Sequence, residues 1–280
     1  MKVAWIQDYS REYGGAELSN KSVVAVGFDI GHDIVGITPS NFPVGALRDC
    51  DVAIVNNFFE FTDAQRSVIL DTLWGMGKPY VKYEHDSREL KRKEFAKELF
   101  GKSRLNVFIS PAHRKNHVEA LGCEGVVFPL AVDAEFFRPL SKVDRKAGTA
   151  VIVGGYNKGG KISRSIEAHI RGNPGTIFTS IGHPIPGVSK VTPILPHKEM
   201  PRVYSEHEEL VHLPDFFCAG ERVVFEAALC GCRVIGNGNV GHLSWGYDLS
   251  DIQSLREILR KAPFDFWKSV EAAASRKRAA

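Results

Sequence analysis

The chain predicts an α/β protein made of two doubly wound parallel-sheet domains in tandem. Three observations carry this reading. Short apolar runs rich in Val and Ile alternate with longer segments of helical period, the pattern of a parallel sheet covered on both faces. The alternation stops at the polar run Arg138–Gly148 and then restarts, which marks a linker. The segment Pro214–Gly236, PDFFCAGERVVFEAALCGCRVIG, reads as strand end, loop, helix, turn and buried strand. In open α/β sheets the loop between a strand and the next helix is where ligands bind.

Taken in order, Lys2–Gln7 predicts a first buried strand, followed by the glycine loop Tyr13-Gly14-Gly15 and a helix from Ala16 to about Gly27. Strands are predicted at Asp33–Thr38, Val52–Asn57 and Pro79–His85, with helices near Thr62–Met76 and Ser87–Phe100 between them. Asn106–Ser110, a helix over Pro111–Leu121 and the strand Gly125–Pro129 close the first half. The second half opens with the strand Thr149–Gly154 and the glycine-rich loop Gly155–Gly160. A helix over Lys161–Arg171, a strand Thr176–Ile181, a helix His197–Glu206 and a strand Glu209–Leu213 follow. The predicted helix Glu221–Cys230 leads to the strand Arg233–Gly236. Two more helices, Ser254–Lys261 and near Phe264–Arg278, finish the chain.

With 280 residues the chain has room for two domains of ordinary size. A hydrophobic share of 44% and a charged share of 25% are those of a soluble globular protein. The formal charge of +3 is mild and favours no partner class. No apolar run approaches the roughly 20 residues of a membrane span. The N-terminus MKVAWIQDYS lacks the regions of a signal peptide and runs directly into a strand. Five cysteines without framework spacing suit a reducing, cytoplasmic setting. Cys230 and Cys232 flank Gly231 and read as small buried residues around a helix-ending glycine.

Four constellations could carry chemistry. Gly14 and Gly15 precede a helix, so backbone amides and a positive dipole end could meet an anion such as a diphosphate, or form a plain tight turn. Gly155, Lys158 and Lys161 occupy the matching place in the second half and suit phosphate, without Walker A spacing. In the third, Arg222 lies in the first turn of its helix, against the dipole. It is expected either to bind a phosphate or to pair with a surface acid. Glu226, alone on an apolar helix, is either a ligand for a ribose diol or a buried acid satisfied by backbone amides. In the fourth, Glu84-His85-Asp86 ends a predicted strand at the ligand edge, where His85 could donate a hydrogen bond or move a proton. His113 and His117, one turn apart without a metalloprotease carboxylate, read as a solvated helix face. The mixed charges of Ser87–Arg104, including Lys91, Arg92, Lys93, Lys97, Glu89, Glu94 and Glu98, read as an exposed face.

These pieces resemble the retaining GT-B glycosyltransferases of the large nucleotide-sugar-dependent group 1 family. Gly14-Gly15-Ala16-Glu17 is similar to the family's N-terminal glycine loop. Pro129–Asp133 with Phe136-Phe137-Arg138-Pro139 is similar to its "PNGVD…F.P" segment. Val153-Gly154-Gly155 with Lys158-Gly159 resembles its "VGR…KG" turn, and Pro214–Ile235 its "PS..EGFG…EA…G.PVI" signature. The resemblance implies two Rossmann-like domains facing across a cleft. Residues 1–140 would be the acceptor domain, 148–262 the nucleotide-sugar domain, and 263–280 a helix crossing back to the first. It implies transfer of a hexose-like sugar from a nucleotide diphosphate sugar to a hydroxyl acceptor, with retention, no metal and no cofactor beyond the donor. Glu226 would hold the ribose. Gly14, Gly15, Gly155, Lys158, Lys161 and Arg222 would serve the diphosphate side, and His85 and Glu221 the reacting sugar. Two positions depart from the pattern. Cys218 stands where the family has the first of two glutamates, and a thiol cannot accept hydrogen bonds as a carboxylate does. Gly155 stands where it has Arg. A non-catalytic binder of nucleotide or glycan, and a glycosyltransferase acting on nucleic acid, are the alternatives; peripheral contact with a membrane is compatible with any of these readings.

Overall fold

Runs such as VAWI, VAIV and AVIV place β-branched residues on both faces of a strand, so each strand must be covered on both sides. The computed structural model of the chain arranges them in two parallel sheets. It describes residues 1–8, 15–57, 59–154, 156–157 and 161–275. The chain divides into two compact units, one of Met1–Ala131 with Lys261 onward, the other of Val132–Arg260.

The first unit contains β1 (Lys2–Ile6), α1 (Gly15–Asp29), β2 (Asp33–Ile37), α2 (Val44–Asp49), β3 (Val52–Val55), α3 (Asp63–Leu70), β4 (Tyr80–Tyr83), α4 (Lys93–Lys102), β5 (Leu105–Phe108), α5 (Pro111–Leu121) and β6 (Val126–Val127). Its six-stranded sheet runs β2-β1-β3-β4-β5-β6, every neighbouring pair parallel. Successive side chains take opposite faces. Ala4, Ile6, Ala53 and Val55 pack with Ile69, Leu73, Leu99 and Phe100 on one side. Trp5 and Tyr83, on the other, meet Phe266 and Trp267.

Local chemistry sets the helix ends. Thr62 and Gln65 form a reciprocal capping box at the start of α3. Ser110 caps α5, Pro111 follows at its first turn, and Gly122 ends it with φ of 69°. The expected helices Thr62–Met76 and Ser87–Phe100 are each composite. α3 passes into a π turn at Asp71–Gly75, and a 3-10 turn at Arg88–Arg92 precedes α4.

The second unit contains β7 (Lys146–Val153), β8 (Tyr156–Asn157), β9 (Lys161–Ile162), α6 (Arg164–Gly172), β10 (Ile177–Ile181), β11 (Lys190–Thr192), α7 (Met200–Glu206), β12 (His207–His212), α8 (Arg222–Leu229) and β13 (Arg233–Gly236). Its parallel sheet runs β11-β10-β7-β12-β13. Val151 and Leu210 face a cluster with Phe225, Ala228 and Leu229, while Ala150, Ile152 and Val211 face Ile166, Ile170 and Phe178. β8 and β9 form a short antiparallel pair; β8 lies in the expected glycine-rich loop, and β9 takes the first residues of the expected helix Lys161–Arg171, which begins at Arg164 instead.

The last helix, α9 (Ile252–Ser275), is continuous and carries Pro263 inside it, where two helices were expected. Proline removes one backbone hydrogen bond. An unbroken buried stripe of Leu255, Leu259, Ala262, Phe266, Trp267, Val270 and Ala273 outweighs that loss. Within the first unit, Trp267 Nε1 donates to Val23 O at 2.8 Å. Gly27 of α1 lets the indole approach: a Cβ there would lie 2.5 Å from Trp267 Cζ2 and 2.6 Å from Ile34 Cδ1. Gly27→Ala should therefore destabilise the protein by about 1–3 kcal/mol through overpacking, although alanine is the better helix former. Urea unfolding measures this, and an unchanged or raised midpoint would contradict the packing.

Candidate functional site

A parallel sheet that grows outward in both directions leaves a crevice at the C-terminal edge where the strand order reverses. In the second unit β7 is central, with β10 and β11 added on one side and β12 and β13 on the other. The reversal falls between β7 and β12. The loop leaving β12 there is Leu213–Glu221, and from Pro214 onward it opens the stretch Pro214–Gly236 singled out in the sequence.

Two helix N-termini belong to this edge, and they are used differently. At α6 the Asp215 carboxylate accepts from the backbone N–H of Arg164 at 2.7 Å and of Ser165 at 3.2 Å. It also accepts from the hydroxyls of Ser163 and Ser165. These bonds hold the Asp215 acid well below the usual aspartate range. The Asp215 carboxylate therefore already occupies the first backbone amides of α6. The start of α8 is not capped this way: Glu221 is its N-cap residue and makes no side-chain capping bond.

One turn into α8, Glu226 is 3% exposed and Arg222 5%. Arg222 Nε donates to Glu226 Oε1 at 2.9 Å, and His197 Nε2 donates to the same oxygen at 3.1 Å. The His197 ring lies 5.2 Å from that of Phe137 and 6.0 Å from that of Phe136. Glu226 is thus held by an arginine and a histidine side chain rather than by backbone amides, and Arg222 pairs inside the protein rather than on its surface. His197 was missed in the sequence because its role depends on a contact across 29 positions; no local spacing announces it.

Cys218 is buried, and its backbone pairs with 239–241: its N–H donates to Asn239 O and its carbonyl accepts from Gly241, both at 2.8 Å. Burial first, then the nearby Glu221 carboxylate, push the Cys218 thiol up to about 12, so it is neutral at pH 7. It cannot reproduce the charge of a glutamate.

In the first unit His85 follows β4 at the sheet edge. It is buried, its ring centroid lies 4.2 Å from that of Tyr83, and neither ring nitrogen has a hydrogen-bond partner. Burial lowers its pKa to about 3 despite the opposing pull of Glu84. At neutral pH it is an uncharged imidazole. Beside it Glu84 Oε1 accepts from the backbone of His85 and Asp86, at 3.2 and 3.0 Å. Lys82, fully buried, lies 2.8 Å from Glu84 and 3.3 Å from Glu89. Burial opposes ionisation of both acids. Lys82 keeps the Glu84 pKa below the ordinary value, while burial and the charge of Glu84 push Glu89 well above it. Glu89 is therefore part of a buried cluster and not of an exposed face. His113 and His117 are also buried, not solvated: His113 donates to Asp86 O and His117 to His113 O, each at 3.0 Å. Gly15 begins α1 and is exposed. Gly14, Gly155 and Lys158 lie outside the described residues, and of Lys161 only the backbone, in β9, is described.

Several solved structures share this arrangement over nearly the whole chain. A structure of Anabaena Alr3699/HepE in complex with UDP and glucose is 12% identical, with a TM-score of 0.68 over 97% of this chain and all of that one. The fold is GT-B. A sucrose-phosphate synthase from Thermosynechococcus elongatus is 12% identical, with a TM-score of 0.64 over 97% of this chain and 96% of that one. An alpha-glucosyltransferase in complex with UDP and a 13-mer DNA containing a HMU base is 13% identical, with a TM-score of 0.58 over 97% and 93%. No family model and no curated protein matches the sequence.

Two outcomes follow from these electrostatics. Lys82→Met leaves Glu84 buried without its cation and should cost about 3–5 kcal/mol at pH 7. Because the Glu84 pKa is depressed in the fold to about 2, this loss should be full above the ordinary value of 4.5 and shrink as pH falls from 4.5 through about 2, where the folded carboxylate takes up its proton. Glu89→Gln, which mimics a protonated acid, should cost no more than about 1 kcal/mol; urea titrations at several pH values compare the two. Separately, Asp215→Ala should lower the melting temperature at pH 7. The gap to the parent protein should close as pH drops through and below the ordinary aspartate value of 3.8, since the stabilisation exists only while the acid is charged.

Proposed function

We propose that this GT-B chain is a glycosyltransferase that moves a hexose-like sugar from a nucleoside diphosphate donor to a hydroxyl acceptor. The observation that carries the proposal is Glu226: a buried carboxylate, held by Arg222 and His197, on the helix that leaves the β7/β12 reversal. A carboxylate so placed is suited to accept hydrogen bonds from a ribose diol. The N-terminus of α8 and the Arg222 guanidinium supply positive potential for a departing diphosphate. Structural neighbours solved with UDP support a uridine nucleotide as the first donor to try.

In this reading Glu221 and His85 serve the reacting sugar, His85 as a neutral hydrogen-bonding group. Retention at the anomeric carbon belongs to the proposal, as do the phosphate contacts of Gly14, Gly15, Gly155, Lys158 and Lys161. A cytoplasmic location fits five buried, unpaired cysteines. Among the described residues no helix is long and apolar enough to cross a membrane. The neutral thiol at Cys218 favours a second reading, a protein that binds the donor without transferring sugar. Release of UDP from UDP-glucose, with or without glycan or DNA acceptors, separates the two readings.

Glu226→Gln should weaken UDP binding by about 1–3 kcal/mol, the loss of a charged hydrogen-bonding partner. Calorimetry with the intact chain measures it. Glu226→Ala should also lower thermal stability, because it leaves the buried Arg222 without its acid. Equal UDP affinity for the parent and the Gln variant would refute the assigned role.

A further inference from the structure

β12 ends at His212, on the edge where the strand order of the second unit reverses. The His212 side chain points into a buried region: the residue is 3% exposed, and neither Nδ1 nor Nε2 has a hydrogen-bond partner. A buried imidazole donates at one nitrogen and accepts at the other, and leaving both unmet is costly. Two other side chains converge on it. Cys218 is fixed by the backbone pairing of its own N–H and carbonyl to 239–241. Glu221 sits at the N-cap of α8 without capping it. One donor atom from each of His212, Cys218 and Glu221 lies within 4.8 Å of the other two. Among the described residues this is the one trio of metal-binding side chains so assembled.

We propose that His212, Cys218 and Glu221 bind a divalent transition-metal ion of zinc type. The donor set decides the class. A thiolate and an imidazole favour a borderline-soft ion, whereas calcium and magnesium take oxygen ligands. Three protein ligands leave the fourth tetrahedral position for water or an anionic oxygen. Donor atoms around tetrahedral zinc stand roughly 3.5 Å apart, given bonds of about 2.0–2.3 Å. The trio therefore closes by at most about 1 Å on binding, and Glu221, half-buried and uncommitted as a cap, is the ligand best able to move. In the binding step the Cys218 S–H bond breaks, a sulfur–metal bond forms, and the proton passes to buffer. The carbonyl of Glu221 accepts from His242 Nδ1 at 3.0 Å, which steadies the backbone of that ligand. The sequence led to the expectation of a site without metal. The cluster departs from that expectation because His212 and Cys218 come together only in the folded unit. The inference uses the loop of the proposed donor site but does not depend on sugar transfer.

The test uses the full chain, stripped with chelator and titrated with zinc alone by calorimetry in two buffers of different ionisation enthalpy. Cobalt(II) serves as the spectroscopic probe. One zinc ion per chain should bind with release of a proton, and cobalt should give a thiolate charge-transfer band with a tetrahedral ligand-field spectrum. Cys218→Ser should abolish that band and weaken zinc binding at least tenfold; His212→Gln should weaken it at least tenfold and keep the thiolate band only weakly. Cys230→Ser and Cys232→Ser should retain both signals. Absence of the band in the parent protein would overturn the proposal even if the variants fail to fold, and so would its persistence in Cys218→Ser. If Glu226→Gln weakened UDP binding while zinc bound as described, the metal site and the nucleotide reading would stand together. If zinc bound but UDP did not, the metal site alone would stand.

Discussion

The Arg222–Glu226 contact is the constraint on which the candidate site depends, because each partner is unfavourable without the other. A cation in the first turn of a helix opposes the helix dipole, and a carboxylate inside an apolar helix loses its hydration. Four residues apart on α8, they face each other, and both are nearly excluded from solvent. His197 adds a second donor to the same carboxylate oxygen and ties α8 to the turn that precedes α7. The result is a fixed charge geometry at the edge of the sheet, where a flexible surface pair would have none. An anion approaching the start of α8 would meet a guanidinium whose orientation is already set.

The second unit divides its helix ends between stability and recognition. Asp215 takes the first amides of α6, and the single Ser163 hydroxyl proton is shared between its carboxylate and Leu213 O. This pins the loop after β12 to the start of α6. The same loop then runs through Cys218, which is fixed to 239–241, before it reaches α8. The loop therefore arrives at α8 with little freedom, so Glu221, Arg222 and Glu226 are placed by bonds made elsewhere. Such positioning at a distance is how a loop between strand and helix becomes a site with defined geometry.

The first unit solves a different problem. It buries one lysine and two acids beneath the edge that carries His85. With one positive charge present, the stable arrangement ionises one acid and protonates the other, and Glu84 has the backbone amides of 85 and 86 to favour its anion. Those amides also set the course of the chain at His85. The histidine itself is neutral, pressed against Tyr83, and has no partner for either ring nitrogen. A group with unmet hydrogen-bonding capacity beside a satisfied ionic cluster is the natural candidate for contact with a ligand, whereas the cluster accounts for the local backbone.

Alternation of apolar runs with helical segments was enough to announce two parallel sheets, because a strand covered on both faces leaves a continuous apolar signature in the sequence. The capped helix α5, the buried strands β3 and β7, and the glycine turn at Gly231 were legible for the same local reasons. Glu226 was legible as an oddity, a single acid in an apolar helix. What surrounds it was not. His197 lies 29 positions away, Asp215 reaches back 50 to α6, and His212 meets Cys218 and Glu221 only when β12 and its loop are in place. The burial of His113, His117 and Glu89 escaped notice because polar residues at helical spacing look the same whether they face water or a buried lysine. Pro263 escaped because its penalty is local while the stripe that overrides it spans the whole of α9. Periodicity and single-residue chemistry are properties of the chain; the partner of a buried polar group is a property of the fold, since it is chosen by contacts between segments that the sequence keeps apart.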